Sequence, residues 1–252
     1  MGEIKFLGTG GARFVVAKQL RYSAGTYINC CGKCMILDPG PGTLVRLAGS
    51  KPRIDVESID GIVLTHIHLD HSNDVNILID SITSGGFKKK GVLFAPFEAV
   101  HGNNRVVLPY LLPFLEKVEI LENRKEFSIG SFSFESFLHK HSVETYGIKM
   151  NLDGKIVSFI IDTQFFDGLY EFYKGSEILI LNVVLLEPKD NVMHLSLGDA
   201  KNIISVIKPE RAVITHFGMS MLRAKPYLLA RELSFELGVD VVAASDGMSL
   251  SI

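Results

Sequence analysis

The run Thr65-His66-Ile67-His68-Leu69-Asp70-His71 brings three imidazoles and a carboxylate into one short stretch. The apolar run Ile62-Val63-Leu64 leads into it as a strand, so His66 and His68, two apart in extended chain, leave the same face and can converge on one ion. A helix is expected to begin near Ser72 or Asn73, which places Asp70 and His71 in a turn facing a neighbouring ion. Neutral imidazole and carboxylate are the ligands that zinc and similar divalent cations accept, and an open position beside them leaves room for a reacting water. With only 8 histidines in 252 residues, His-x-His-x-Asp-His arises by chance in roughly a few chains per ten thousand, so the motif is specific for its length.

Two ions need more ligands, and further candidates stand where apolar strands end. His141 follows residues 132–138, Asp162 ends residues 156–161, and His216 follows Val213-Ile214-Thr215. An aspartate directly after core residues is costly to bury unpaired, and a metal would resolve that cost. The alternative for Asp162 is a helix N-cap before Phe165 and Phe166. His139 competes with His141, two residues away on the same strand face; His141 is preferred because it lies nearer the turn. His101 has no partner and is expected at the surface.

The elements that must hold these groups read as two similar halves. Residues 4–7, 25–29, 35–37 and 62–64 read as strands, and 43–48 and 73–82 carry apolar residues at helical spacing. The second half repeats this, with 127–138, 146–151 and 156–161 as strands and Asp153-Gly154 as a hairpin turn. Residues 178–182 and 212–214 are further buried strands, 197–207 and 226–237 helices, and 241–243 and 248–252 closing strands. Two mixed sheets with helices outside both would satisfy this order.

Hydrophobic residues make up 47% of the chain and charged residues 21%, the balance of a packed globular protein, and one domain over residues 1–252 is expected. The net charge of -2 supplies no positive field to gather nucleic acid or anionic membrane. Lys88-Lys89-Lys90 reads as a solvated loop tip. No apolar run reaches the ~20 residues of a membrane span, and no signal peptide opens the chain, so a cytoplasmic location is expected. Cys30, Cys31 and Cys34 are odd in number and closely spaced, which argues against a disulfide framework. They read as the hairpin turn between two strands rather than as a metal or redox pair.

Taken in order, these residues resemble the metallo-β-lactamase superfamily over nearly the whole chain. Leu7-Gly8-Thr9-Gly10-Gly11-Ala12, Asp38-Pro39-Gly40-Pro41-Gly42-Thr43 and His194-Leu195-Ser196 are similar to motifs of its ribonuclease Z branch. Lys140-His141-Ser142, Val213-Ile214-Thr215-His216 and Ser245-Asp246-Gly247-Met248 resemble the phosphoribosyl cyclic phosphodiesterases. The resemblance implies a four-layer αββα sandwich of two mixed sheets with metals at one edge. It assigns His66, His68 and His141 to a first metal, Asp70, His71 and His216 to a second, and Asp162 as the bridge. It also makes His194 the catalytic proton donor, although Leu195-Ser196 stands where ribonuclease Z has Ser-Thr. A homodimer is favoured by likeness alone.

The expected activity is a metal-dependent phosphodiesterase acting on a small or cyclic phosphodiester. Two divalent cations, zinc first and manganese, iron or nickel as alternatives, activate hydroxide, with Asp70 orienting it and His194 protonating the leaving oxygen. One rival is an acyl hydrolase on the same metals, a lactonase, thioesterase or β-lactamase; Asp162 stands where classical β-lactamases commonly have Cys. Transfer-RNA 3′ processing is less favoured, because the segment between His71 and His141 is too ordinary to contain an RNA-gripping arm. A redox di-iron protein is disfavoured by His68, where that branch has Glu. A binding module without catalysis would have lost ligands. Specificity is expected in the loops 9–21, 85–90 and 219–225.

Overall fold

The computed structural model describes residues 2–23 and 25–252. In chain order the elements of the first half are β1 (Glu3–Phe6), α1 (Ala12–Ala17), β2 (Thr26–Cys30), β3 (Lys33–Leu37), α2 (Thr43–Ala48), β4 (Gly61–Val63), α3 (Leu69–Ser72), α4 (Val75–Ile82), β5 (Val92–Ala95), α5 (Phe97–Val100) and β6 (Lys117–Ile120). The second half holds β7 (Lys125–Ile129), β8 (Phe132–Leu138), β9 (Tyr146–Leu152), β10 (Lys155–Ile160), α6 (Gly168–Tyr173), β11 (Ile178–Leu185), β12 (Leu195–Ser196), α7 (Leu197–Ile207), β13 (Arg211–Thr215), α8 (Met219–Arg223), α9 (Pro226–Leu237), β14 (Asp240–Ala243) and β15 (Ser249–Ser251).

These strands form two mixed sheets, ordered β15-β1-β2-β3-β4-β5-β6 and β14-β13-β11-β10-β9-β8-β7. Hairpin-linked strands such as β2–β3 pair antiparallel, whereas β3–β4–β5 and β10–β11–β13, joined through helices, pair parallel; β1 and β2 pair antiparallel although α1 lies between them. The sheets face each other across one core that includes Phe6, Ile28 and Phe94 from the first and Ile148, Phe159 and Ile180 from the second. The outer face of the first sheet packs Ile36 and Ile62 against Leu47 of α2 and Leu78 and Ile82 of α4. The outer face of the second packs Leu179, Leu181 and Ile214 against Ile203 and Ile204 of α7 and Leu233 of α9. The result is the four-layer αββα sandwich the sequence predicts. β11 shows the cause: all eight of its residues are buried, Ile180 facing the inner core while Leu179 and Leu181 face the helices. A strand buried on both faces reads as a nearly continuous apolar run, here broken only by Asn182.

Helices 43–48, 197–207 and 226–237 fall where their periodicity places them. α7 also carries a capping box, with Ser196 Oγ accepting from the Asp199 amide at 3.2 Å and Asp199 Oδ2 accepting from the Ser196 amide at 2.8 Å. Four expectations are corrected. Residues 127–138 are two strands, because Gly130 adopts φ 60 and turns the chain back on itself. A helix is expected to begin near Ser72 or Asn73 after a turn holding Asp70 and His71; instead α3 starts at Leu69 and contains both, and α4 covers only 75–82 of the expected 73–82. Residues 9–21, expected as a loop, contain α1, and β5 was not anticipated as a strand. The cysteine segment is the predicted hairpin, with Cys31-Gly32 at its tip and three free thiols. Among the described residues no helix is long and apolar enough to cross a membrane.

Candidate metal centre

The candidate side chains gather at one rim of the two sheets, most of them just beyond a strand end. β4 delivers Thr65 and His66; α3 begins at Leu69 and turns Asp70 and His71 back over them. His141 lies beyond β8, Asp162 beyond β10 and His216 beyond β13, so the second sheet supplies three groups to complement those of the first. His216 adopts φ 58, a left-handed conformation that few residues other than glycine tolerate, and such strain gathers at functional sites. Gly11 makes room for it: a Cβ at Gly11 would overlap the His216 ring. Gly40 similarly admits the carbonyl oxygens of Asp70 and Ser23, where a Cβ would collide with both.

The polar atoms form two adjoining clusters. In the first, His68 Nδ1 lies 3.2 Å from His141 Nε2, with His66 and Asp162 completing the group. In the second, His71 Nε2 lies 3.2 Å from His216 Nε2, and Asp70 Oδ2 lies 3.6 Å from His216 Nε2. Asp162 stands between them. Its Oδ2 lies 3.9 Å from His66 Nε2, 4.0 Å from His141 Nε2 and 3.4 Å from His71 Nε2, and its Oδ1 lies 3.5 Å from His216 Nε2.

The far side of each ring is already engaged, which determines the nitrogen left facing inward. His71 Nδ1 donates to Asp38 Oδ2 at 2.9 Å and His141 Nδ1 to the Met193 carbonyl at 2.9 Å. Thr65 Oγ1 donates to Asp38 Oδ2 at 2.8 Å, so it accepts from His66 Nδ1 at 3.0 Å. The inward nitrogens of His66, His71 and His141 are therefore lone pairs when the rings are neutral. His66 Nε2 is fully buried with no hydrogen-bond partner, a condition that ordinarily costs about 1–3 kcal/mol. A divalent cation among these donors removes that cost, and the nitrogen and carboxylate set suits one. Asp38 also lies within a third group with His66 and His71, but its Oδ2 is taken by Thr65 and His71 and its Oδ1 accepts the Thr65 amide at 2.7 Å. It is a positioning residue. Asn182 on β11 likewise donates to Asp162 Oδ1 at 2.9 Å.

Electrostatics match this division. Burial holds His66 well below the ordinary histidine value, with repulsion from His71 adding to it. Burial likewise lowers His68, His141 and His194. Burial opposes charge on His71 too, but Asp162 and Asp38 outweigh it and hold that imidazole well above its usual value. Asp162 is buried, which disfavours its charge, yet His216, His71 and His194 keep it ionised far below the usual carboxylate range.

A cavity of about 750 Å³ opens over the cluster, reaching His68, Asp70, Asp162 and His194. His194 Nδ1 lies 3.7 Å from Asp162 Oδ2 and its ring centre 5.0 Å from that of His141. The structure thus brings together His66, His68, Asp70, His71, His141, Asp162, His194 and His216. His139 points elsewhere: its Nε2 bonds Tyr173 Oη at 2.8 Å, and burial pushes it down to about 3. His101 is exposed, as expected. Of the three segments expected to set specificity, 9–21 and 219–225 line the cavity, but as the helices α1 and α8. Residues 85–90 do not, and Lys88 instead pairs with Glu57 at 2.7 Å. Sequence reasoning missed the roles of Asp38 and Asn182. An acidic residue directly after an apolar strand was the available signal for Asp38; for Asn182, within a buried strand, a polar interruption was the only one.

Comparison with known proteins agrees with this architecture. The sequence model described as "Beta-lactamase superfamily domain" matches residues 34–217. An uncharacterized protein of Methanocaldococcus jannaschii is 30% identical over 99% of this chain and 95% of its own length. A ribonuclease Z of Clostridioides difficile is 22% identical over 100% of this chain and 99% of its own. Among solved structures, the metallo-beta-lactamase fold protein YhfI from Bacillus subtilis superposes with a TM-score of 0.81 at 16% identity, covering 99% of this chain and 98% of that one. A diphosphatase from the PhnP family superposes at 0.73 with 21% identity, covering 100% and 98%. At these identities the structural likeness concerns the fold.

Proposed function

The chain belongs to the beta-lactamase superfamily, and we propose that within it this protein is a phosphodiesterase with a dinuclear metal site. His66, His68 and His141 would hold one cation, Asp70, His71 and His216 the second, and Asp162 would span both. Zinc suits this donor set, as do manganese, iron and nickel. Two such cations supply a water-derived nucleophile at neutral pH and positive charge against the phosphoryl oxygens. The side chains then have separate tasks. Asp70, kept ionised by His71 and His216 against the effect of burial, orients the attacking water and accepts a hydrogen bond from it. The water oxygen bonds phosphorus and gives up one proton to solvent, one ester P–O bond breaks, and the departing alkoxide takes a proton from His194, which regains one from solvent, leaving a phosphomonoester and an alcohol. Burial makes His194 a weaker base and so a readier proton donor, while Asp162 at 3.7 Å favours the protonated ring.

The observation that carries this reading is the position of His194. It adds a proton carrier on the cavity side of a donor set already complete without it. Replacing it tests the assignment: His194→Ala should lower turnover of bis(p-nitrophenyl) phosphate by about 10²–10⁴ with the metal content unchanged. Unchanged turnover of every diester, with hydrolysis of lactones in the same panel, would overturn it in favour of an acyl hydrolase. The full-length likeness to a ribonuclease Z supports a second reading, RNA cleavage, and cleavage of precursor transfer RNA alone in that panel would select it.

A further inference from the structure

The cavity over the metal centre is walled mostly by hydrocarbon. α1 contributes Phe14 and Val15, β11 contributes Val184 and Leu185, and Val192 closes the side next to His194. Phe14 is 64% exposed and Leu69, between the candidate ligands His68 and Asp70, is 70% exposed. Large apolar side chains left in water beside a reactive centre mark a surface that a ligand covers. The polar groups on the wall, outside the metal cluster and His194, are few. Ser220 Oγ accepts from the Leu186 amide at 3.1 Å and keeps one O–H donor; beside it stand only the exposed cations Arg13 and Lys189. A sugar or nucleoside brings several hydroxyls that would lie against this hydrocarbon without partners, whereas an alkyl or aryl group would not. The two cations complement an anionic phosphoryl group.

We infer that the substrate is an anionic phosphodiester bearing one bulky apolar alcohol, whose alkyl or aryl portion fills the space between α1, β11 and Val192 while the phosphoryl group lies at the histidine cluster. This rests on the phosphodiesterase reading for its chemistry, in which water adds across one P–O bond, but the apolar subsite stands on the cavity alone.

Two readouts separate the ideas. Zinc-loaded protein is given dimethyl phosphate, methyl octyl phosphate and the methyl ester of thymidine 5′-monophosphate, with cleavage followed by phosphorus NMR. In parallel, calorimetry measures binding of octylphosphonate and methylphosphonate. The octyl diester should exceed the other two in kcat/KM by on the order of 30-fold, and octylphosphonate should bind at least roughly tenfold more tightly than methylphosphonate. Phe14→Gln and Val192→Gln, both at exposed or half-exposed positions, should each shrink the octyl-to-methyl ratio several-fold in both measurements. Octyl and methyl ligands within twofold of each other in binding, or preference for the thymidine ester, would overturn the inference. Selective octylphosphonate binding without cleavage of any diester would overturn the phosphodiesterase reading and leave the apolar subsite standing.

Discussion

Asp38 touches no cation directly, yet it should control how tightly one is held. Its carboxylate accepts from the Thr65 amide, Thr65 Oγ1 and His71 Nδ1 at 2.7, 2.8 and 2.9 Å, and both Asp38 and His71 are buried. Asp38→Asn keeps the shape but turns an amide nitrogen toward one of these donors. The His71 bond is charge-assisted, and such bonds contribute about 1.5–3 kcal/mol. Loss of an outer carboxylate of this kind weakens metal binding about 10–100-fold, or about 1.4–2.7 kcal/mol, so the two routes agree. The pH dependence sharpens the test. Asp162 and Asp38 raise His71 well above its ordinary value, so the metal must displace a proton from that ring in the wild type at neutral pH. Without Asp38 the proton is held less tightly and competes less. The loss of affinity should therefore be larger at pH 9 than at pH 6. Competition titrations against a chromophoric chelator at both pH values measure it. An equal loss at both, or no loss at all, would refute the placement of Asp38 behind His71.

Other consequences follow from the same geometry. Gly11→Ala, at an extended backbone position that tolerates alanine (φ -126), should displace His216 and reduce bound metal from two equivalents to one with the circular dichroism spectrum unchanged, as elemental analysis of the purified variant would report. His139→Phe should lower stability by about 0.5–1.5 kcal/mol in urea unfolding by removing the 2.8 Å bond to Tyr173 Oη, which keeps only its 3.4 Å bond to the Phe159 carbonyl, while both metals stay bound. In chelator-stripped protein the raised value of His71 stabilises the fold fully below the unfolded value of about 6.5. That contribution fades as pH rises toward the folded value, whereas the lowered values of His66, His68, His139, His141 and His194 penalise the fold only until pH passes the unfolded value. A fall in Tm should therefore appear in stripped protein above about pH 8, where of these histidines only His71 still changes its contribution, and be weaker in metal-loaded protein.

The centre was legible to the degree that it is local. His66, His68, Asp70 and His71 are contiguous, and strand–turn geometry alone aims them at one place. His141, Asp162 and His216 are far apart in sequence, but each follows an apolar strand, and parallel strands from one sheet end at the same rim. Packing separates the two candidates His139 and His141: His139 turns inward to Tyr173 Oη, whereas His141 Nε2 lies beside His68. What escaped was contributed by tertiary packing. Asp38 and Asn182 act by bonding residues 33 and 20 positions away, which no local pattern reveals. α1 buries only Val15 fully, too little for a helical stripe, and it follows glycines that read as loop. Gly130 within residues 127–138 was the visible sign of the turn between β7 and β8, overshadowed there by the aromatic alternation of β8.

The central claim, that hydrolysis needs two cations shared by the histidine clusters, is tested most directly by adding zinc to stripped protein while following bis(p-nitrophenyl) phosphate hydrolysis. Activity should be absent without metal and rise to a break at two equivalents per chain. A break at one equivalent, or turnover that persists in excess chelator, would contradict it.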